Sequence, residues 1–417
     1  MRSNMIHDFE ETWGTAANCS ALPEHLNDGI SFLSDFWKEK YLKEYLAAGG
    51  SKIKFITGRS GSGKTHFLHL MKRLAEEENY VTAEFSARDI WLHDFREIYL
   101  EVLSQCDIMT LLQSCAKNVI RRMGYDPEAV PEELSFMDFL AQQDMGDALT
   151  KRELRQQLKK LFLEDPLMDN NFALAASLLT GGILGHPLLE QQNQELLLQW
   201  LHGDKTVKLS LLRSLGLSPS RITKYNARHM LRSLAEVVRL AGKTGLLITV
   251  DDMETLVSRS PLEKLHYTKL KREDTYESIR QLIDDIDSMK HIMFLFSFER
   301  TLLDNDTAGI KSYQALWMRI QNEIIGERFN RFTDIADLDR LAIQEYSVDV
   351  LVRMSEQLAA SLAVTAADNE GKSVEKSTSF RAISAEEAEA LRQQAKIGGI
   401  GLPELVKQAV EGGEADV

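Results

Sequence analysis

Gly58-Arg59-Ser60-Gly61-Ser62-Gly63-Lys64-Thr65 decides how the rest of the chain is read. It is a glycine, four free positions, then Gly-Lys-Thr, the pattern of a phosphate-binding loop. Ile53, Phe55 and Ile56 ahead of it read as a buried strand, and Phe67, Leu68, Leu70, Met71 and Leu74 behind it recur at helical spacing. Glycines let backbone N–H groups close around phosphate oxygens, and a helix starting there offers its positive dipole end. In that reading Gly58 to His66 surround the phosphates, Lys64 reaches the outer ones, and the Thr65 hydroxyl ligates Mg²⁺.

Working outward, residues 1–25 read as a tail. Ile30 to Leu46 reads as a helix with Phe32, Phe36, Trp37, Tyr41 and Tyr45 on an apolar face, ended by Gly49-Gly50. Beyond the loop helix, Tyr80 to Ser86 alternates as a second strand, and Asp89 is placed to cap a helix running through Phe95 and Val102. From 107 to 225 the pattern is helical with Gly and Pro breaks, an all-helical insertion. Strands follow at Gly245 to Val250 and His291 to Ser297, with a short one near Phe332 to Leu338. Alternating strands and helices imply an α/β parallel sheet of about five strands. The chain therefore divides into a core in two parts, 26–106 and 226–340, the insertion, and a small helical C-terminal lid over 341–417, interrupted by a polar segment at 368–378.

Asp251 ends a hydrophobic strand, where ligands of open α/β sheets bind, and is expected to hold Mg²⁺ opposite Thr65. Asp252 stands where hydrolytic phosphate-loop proteins carry a glutamate that orients the attacking water, with Glu254 as its rival. Ser297 closes the fourth strand beside the outer phosphate. Arg319, chosen over Arg328 and Arg331, is the candidate for reaching a transition-state phosphate across a subunit boundary. Lys264, His266, Lys269, Lys271 and Arg272 form a basic run, either a phosphate-tracking patch or a solvated loop.

The composition is that of a globular protein of two or three domains. A net charge of −14 over 417 residues excludes a surface that is basic throughout, so any DNA contact is a local patch. Cys19, Cys106 and Cys115 form no metal-ligand spacing, and His186 and His202 stand alone. The first residues lack the apolar core of a signal peptide, and no window reaches the roughly 18 apolar residues of a membrane span. The expectation is a cytoplasmic protein without a membrane partner.

Taken together, these stretches resemble the ATP-binding proteins of BREX-type phage-defence systems, a branch near the AAA+ origin-recognition-like ATPases. The resemblance rests on Lys54 to Gly58, Gly61 to Leu68, Asn226 to Leu234, Asp251-Asp252-Met253-Glu254-Thr255-Leu256 and Ser312 to Arg319. It implies an AAA+-like fold, ATP and Mg²⁺ as cofactors, ATP hydrolysis, and homo-oligomeric or defence-system partners. The alternative is a nucleotide-gated switch with little hydrolysis. Two departures stand out: the family's Asp-Glu pair is Asp251-Asp252, and the lid position where it carries arginine after proline is Glu404.

Overall fold

The computed structural model describes residues 29–258, 264–320, 329–369 and 380–412. The tail 1–25, Arg328 and most of the polar segment after Asn369 lie outside them. Five strands form one sheet in the order β2-β3-β4-β1-β5. They are β1 (Ser51–Gly58), β2 (Val81–Ser86), β3 (Leu246–Asp251), β4 (Ile292–Glu299) and β5 (Ile335–Asp337), and every pairing is parallel. The expected five-stranded α/β sheet is present.

Side-chain alternation along the strands explains why helices cover both faces. Ile53 and Phe55 of β1, with Phe294, Phe296 and Phe298 of β4, belong to one core; Ile56, Met293 and Leu295 belong to the other. The first core is continuous with the helices between β2 and β3. These are α3 (Phe95–Gln105), α4 (Ile108–Arg122), α5 (Phe136–Gln142), α6 (Ala148–Leu158), α7 (Asn170–Leu184), α8 (Gln191–Leu201), α9 (Leu209–Ser214) and α10 (Ala227–Leu240). The second core holds the loop helix α2 (Lys64–Glu77) and the entry helix α1 (Ser31–Trp37), which continues in π-helical form over Lys38–Leu46. Trp37 is fully buried and meets the Phe67 ring at 5.3 Å, and Phe36 and Tyr41 pack against the same core, while Phe32 and Tyr45 of the stripe are exposed.

After β3 come α11 (Lys269–Asp285), then past β4 α12 (Arg300–Asp304) and α13 (Gln314–Ile320). Four C-terminal helices follow: α14 (Leu338–Glu345), α15 (Val348–Asn369), α16 (Ala385–Ile397) and α17 (Leu402–Gly412). They enclose a third core around Tyr346, Leu351, Leu358, Leu405 and Val406.

Two expectations need correction. Asp89 is not a helix cap: it lies in a turn, and α3 starts at Phe95 with the Asp94 side chain accepting from the Arg96 N–H. Trp91 is drawn out of the helical register by edge-to-face packing on Tyr267. The basic run is not a loop throughout: α11 starts at Lys269 after the Thr268 cap, so Lys269, Lys271 and Arg272 are helical.

Lys54 shows how β1 is locked to the sheet edge. Its side chain is 0% exposed, and its ammonium donates to the carbonyls of Phe332 (2.7 Å) and Thr333 and pairs with Asp334 at 3.0 Å. Removing one partner strands the others in a poorly solvated place. Lys54→Met is therefore expected to lower stability by about 3 kcal/mol, read from urea unfolding.

Candidate functional site

Parallel register brings the ends of all five strands to one edge, and the candidate residues meet there. Gly63 adopts φ +89° as it turns into α2, a conformation that costs glycine little, and a Cβ there would meet nothing within 4 Å. Gly61, at φ +71°, has the Glu404 side chain directly against it. Lys64 folds back to donate to the Arg59 carbonyl at 3.0 Å, with the Gly58 carbonyl at 3.5 Å. The Ser62 hydroxyl is buried without a partner. Burial pushes His66 down to about 4, so its imidazole is neutral at pH 7 and brings no charge to the loop.

Because β4 lies between β1 and β3, with Ile56 opposite Ser297 and Val250 opposite Phe296, the end of β4 stands beside the end of β3. The Thr65 hydroxyl donates to Asp251 Oδ2 at 2.6 Å across 186 residues of chain, and the buried Ser297 hydroxyl donates to Asp251 Oδ1. Thr65, Asp251 and Ser297 thus form one cluster of hard oxygen atoms. Mg²⁺ suits such a place, since it takes one or two carboxylates and leaves other positions to water and phosphate. Open space at Gly63, the orphaned Ser62 hydroxyl and this oxygen cluster together fit a metal-bound phosphate chain.

Asp252 takes the left-handed conformation, φ +59°, with its N–H donating to Asp251 Oδ1 at 2.8 Å. Its carboxylate turns toward β2: the Ser86 hydroxyl donates to Oδ2 at 2.7 Å, and the Arg88 guanidinium stands 3.0 Å from Oδ1. The same guanidinium lies 3.3 Å from Glu254, whose other oxygen accepts the Glu299 N–H at 3.0 Å. Burial, and then the charge of Asp251, hold Asp252 above the usual carboxylate range. Burial pushes Glu254 up to about 7.

That last shift has a signed consequence. A carboxyl that keeps its proton to about 7 when folded but ionises near 4.5 when unfolded makes the fold lose stability as pH rises through that window. Glu254→Gln removes the penalty. Without nucleotide or metal, its stability relative to wild type is expected to grow by on the order of 2–3 kcal/mol between pH 5 and pH 8. An offset independent of pH in paired unfolding curves would contradict this.

Ser86 and Arg88 escaped the sequence reading, since their place depends on the β2–β3 pairing that sets Ser86 opposite Asp251. The grip of the C-terminal helices on the loop escaped it as well. The Ser60 carbonyl accepts the Gly401 N–H at 2.9 Å and the Gly61 carbonyl accepts the Glu404 N–H at 3.2 Å. The Arg59 guanidinium donates to the Ala395 carbonyl at 2.6 Å, and the Arg59 N–H to Asp339 at 2.8 Å. The run Gly398-Gly399-Ile400-Gly401 was the available signal for a tight approach. Arg319 makes its bonds elsewhere, paired through two nitrogens with Asp284 of α11 and donating to the Ala315 carbonyl. Arg331 packs over the Phe36 ring at 4.4 Å.

Comparison with known protein families gives a match to the BREX system ATP-binding protein BrxC/D family across residues 39–398. The chain belongs to this family. No curated protein and no solved structure matches it. The matched span runs from the entry helix past the loop and Asp251 to the end of α16, so it includes the loop, Thr65, Asp251, Asp252, Glu254 and Ser297, while Gly401 and Glu404 lie just beyond it. Among the described residues no helix is long and apolar enough to cross a membrane.

Proposed function

We propose that this chain is an AAA+-like ATPase of a BREX phage-defence system, in which occupancy of the phosphate loop by Mg·ATP changes how the C-terminal lid and the helices between β2 and β3 engage a partner. The observation that carries this reading is the 2.6 Å bond between Thr65 and Asp251, which unites the loop and a second strand end in one oxygen cluster. Amides of residues 58–66 and the Lys64 ammonium hold the phosphates, and Thr65 and Asp251 hold Mg²⁺, which when bound neutralises phosphate charge. Asp252 orients the water; Glu254, protonated up to about pH 7, is the weaker candidate. Ser297 fixes the orientation of Asp251. Arg319 acts on a neighbouring subunit's site, which requires an oligomer in the cytoplasm. The lid over 341–417 and the segment 107–225 are the moving parts of this reading.

A second reading, a nucleotide-gated switch that barely hydrolyses, draws on the Asp252 geometry. Its carboxylate is held by Ser86 and Arg88 on the β2 side, while the loop lies beyond β4 on the opposite side of β3. Titration calorimetry with Mg·ATP and phosphate release from the same preparation separate the two readings. Binding with turnover supports the ATPase, binding without turnover the switch, and failure to bind ATP refutes both.

A further inference from the structure

The basic run noted in the sequence takes no part in the nucleotide site, and the fold sets it in a surface of its own. Lys269, Lys271 and Arg272 occupy the first turn of α11, where the helix dipole is already positive. Cations placed there repel the dipole rather than complement it, so helix stability does not account for them. The Lys271 ammonium sits 3.5 Å over the Trp91 ring, which meets His93 and Tyr267 edge-on, each at 5.1 Å. Tyr267 pins this cluster by accepting the Leu92 N–H at 3.1 Å and donating to the Ile90 carbonyl at 3.2 Å.

Lys224 closes the other side. Burial first, then the charge of Lys271, hold His93 below the ordinary imidazole range against the opposing charges of Asp94 and Asp274, with Lys224 a smaller contribution on the same side as Lys271. Tyr225, next to Lys224, is 82% exposed, with the lysine 5.3 Å from its ring. Lys224 and Lys205 also edge a cavity of about 530 Å³ between α3, α8 and α9. The acids of that cavity are occupied locally: Asp94 caps α3, Glu97 pairs with Arg96 at 2.9 Å, and Asp204 accepts from Thr206. On the α11 side Asp89 neutralises Lys264, and Glu273 approaches Lys269 only to 3.8 Å. Lys205 and Lys224 at the cavity and Lys269 and Lys271 in the first turn of α11 supply four cations to this region, beside the Trp91 and Tyr225 rings, on a protein of net charge −14.

We infer that this surface binds single-stranded DNA, the lysines tracking phosphates and Tyr225 offering a face on which a base stacks. Cations alone would suit any polyanion; the exposed ring among them favours unpaired bases. The site is separate from the phosphate loop and stands whether or not ATP is hydrolysed.

The test is fluorescence anisotropy of the full chain with a labelled oligothymidylate of about twenty nucleotides over a salt series. Wild type is expected to bind with log K falling against log salt at a slope of about −2 to −3, as for three or four phosphate contacts. Lys224→Glu/Lys269→Glu/Lys271→Glu is expected to weaken binding at least about tenfold and flatten the slope. Tyr225→Ala should weaken it about tenfold with the slope unchanged. ATP binding by these variants reports that they are folded, since none of the residues touches the loop. Equal binding by the triple variant, equal affinity for a duplex of the same phosphate count, preference for the matching RNA, or displacement by polyglutamate at the same charge concentration would each overturn the assignment.

Discussion

Lys64→Ala is expected to weaken Mg·ATP binding by roughly a hundredfold while leaving the ligand-free fold nearly untouched. In this structure the Lys64 ammonium donates only to carbonyls of its own loop, Arg59 at 3.0 Å and Gly58 at 3.5 Å, among its described bonds. Those carbonyls lie in a partly solvated loop, so truncation costs the free protein little. With a triphosphate present the same ammonium becomes a charge-assisted donor, a contact worth about 2–3 kcal/mol. That is about one and a half to two powers of ten in affinity, and loss of charge balance on the phosphates adds to it. Calorimetry gives the binding constant and thermal unfolding without ligand gives the control. Full affinity retained by a folded Lys64→Ala protein would remove the basis for the phosphate-loop assignment.

Asp252→Asn carries the second large effect. If Asp252 orients the water, its amide replacement is expected to cut phosphate release by about a hundredfold or more with ATP binding unchanged. Asparagine still accepts from Ser86 but loses the ion pair with Arg88, so a modest change in stability accompanies it. Glu254→Gln serves as the comparison. Its carboxyl is tied to the Glu299 N–H and neutral up to about pH 7, and its removal is expected to slow turnover no more than a few-fold. Reversed effects would exchange the two roles. Indifference to both variants, with ATP still bound, would leave the slow switch as the surviving reading.

What the sequence revealed follows from which interactions are local. Strands β1, β3 and β4 stand out because both faces of a central parallel strand are mostly apolar, and Ile53, Phe55 and Ile56, Leu246 to Val250 and Ile292 to Phe296 meet that demand, with Lys54 the charged exception. The loop is legible because its spacing and its helix are contiguous in the chain. Asp251 is legible because it terminates a buried strand. Ser86 and Arg88 are invisible for the opposite reason: nothing within β2 announces that it lies against β3. The start of α3 was misplaced because Trp91, apolar and correctly spaced for a helix, is claimed by Tyr267 and Lys271 from a distant part of the chain. Glu404 was noticed as a departure from the family's arginine, but only the fold sets it against Gly61.

The backbone bonds from Gly401 and Glu404 to the carbonyls of Ser60 and Gly61 make the final helix a lever whose short arm rests on the phosphate loop. Reorienting the peptides at Ser60 and Gly61 breaks or shifts the bonds that tie them to the start of α17. On the proposed reading, the exposed face of that helix at Gln408 is a handle through which a neighbouring molecule senses whether the loop is filled.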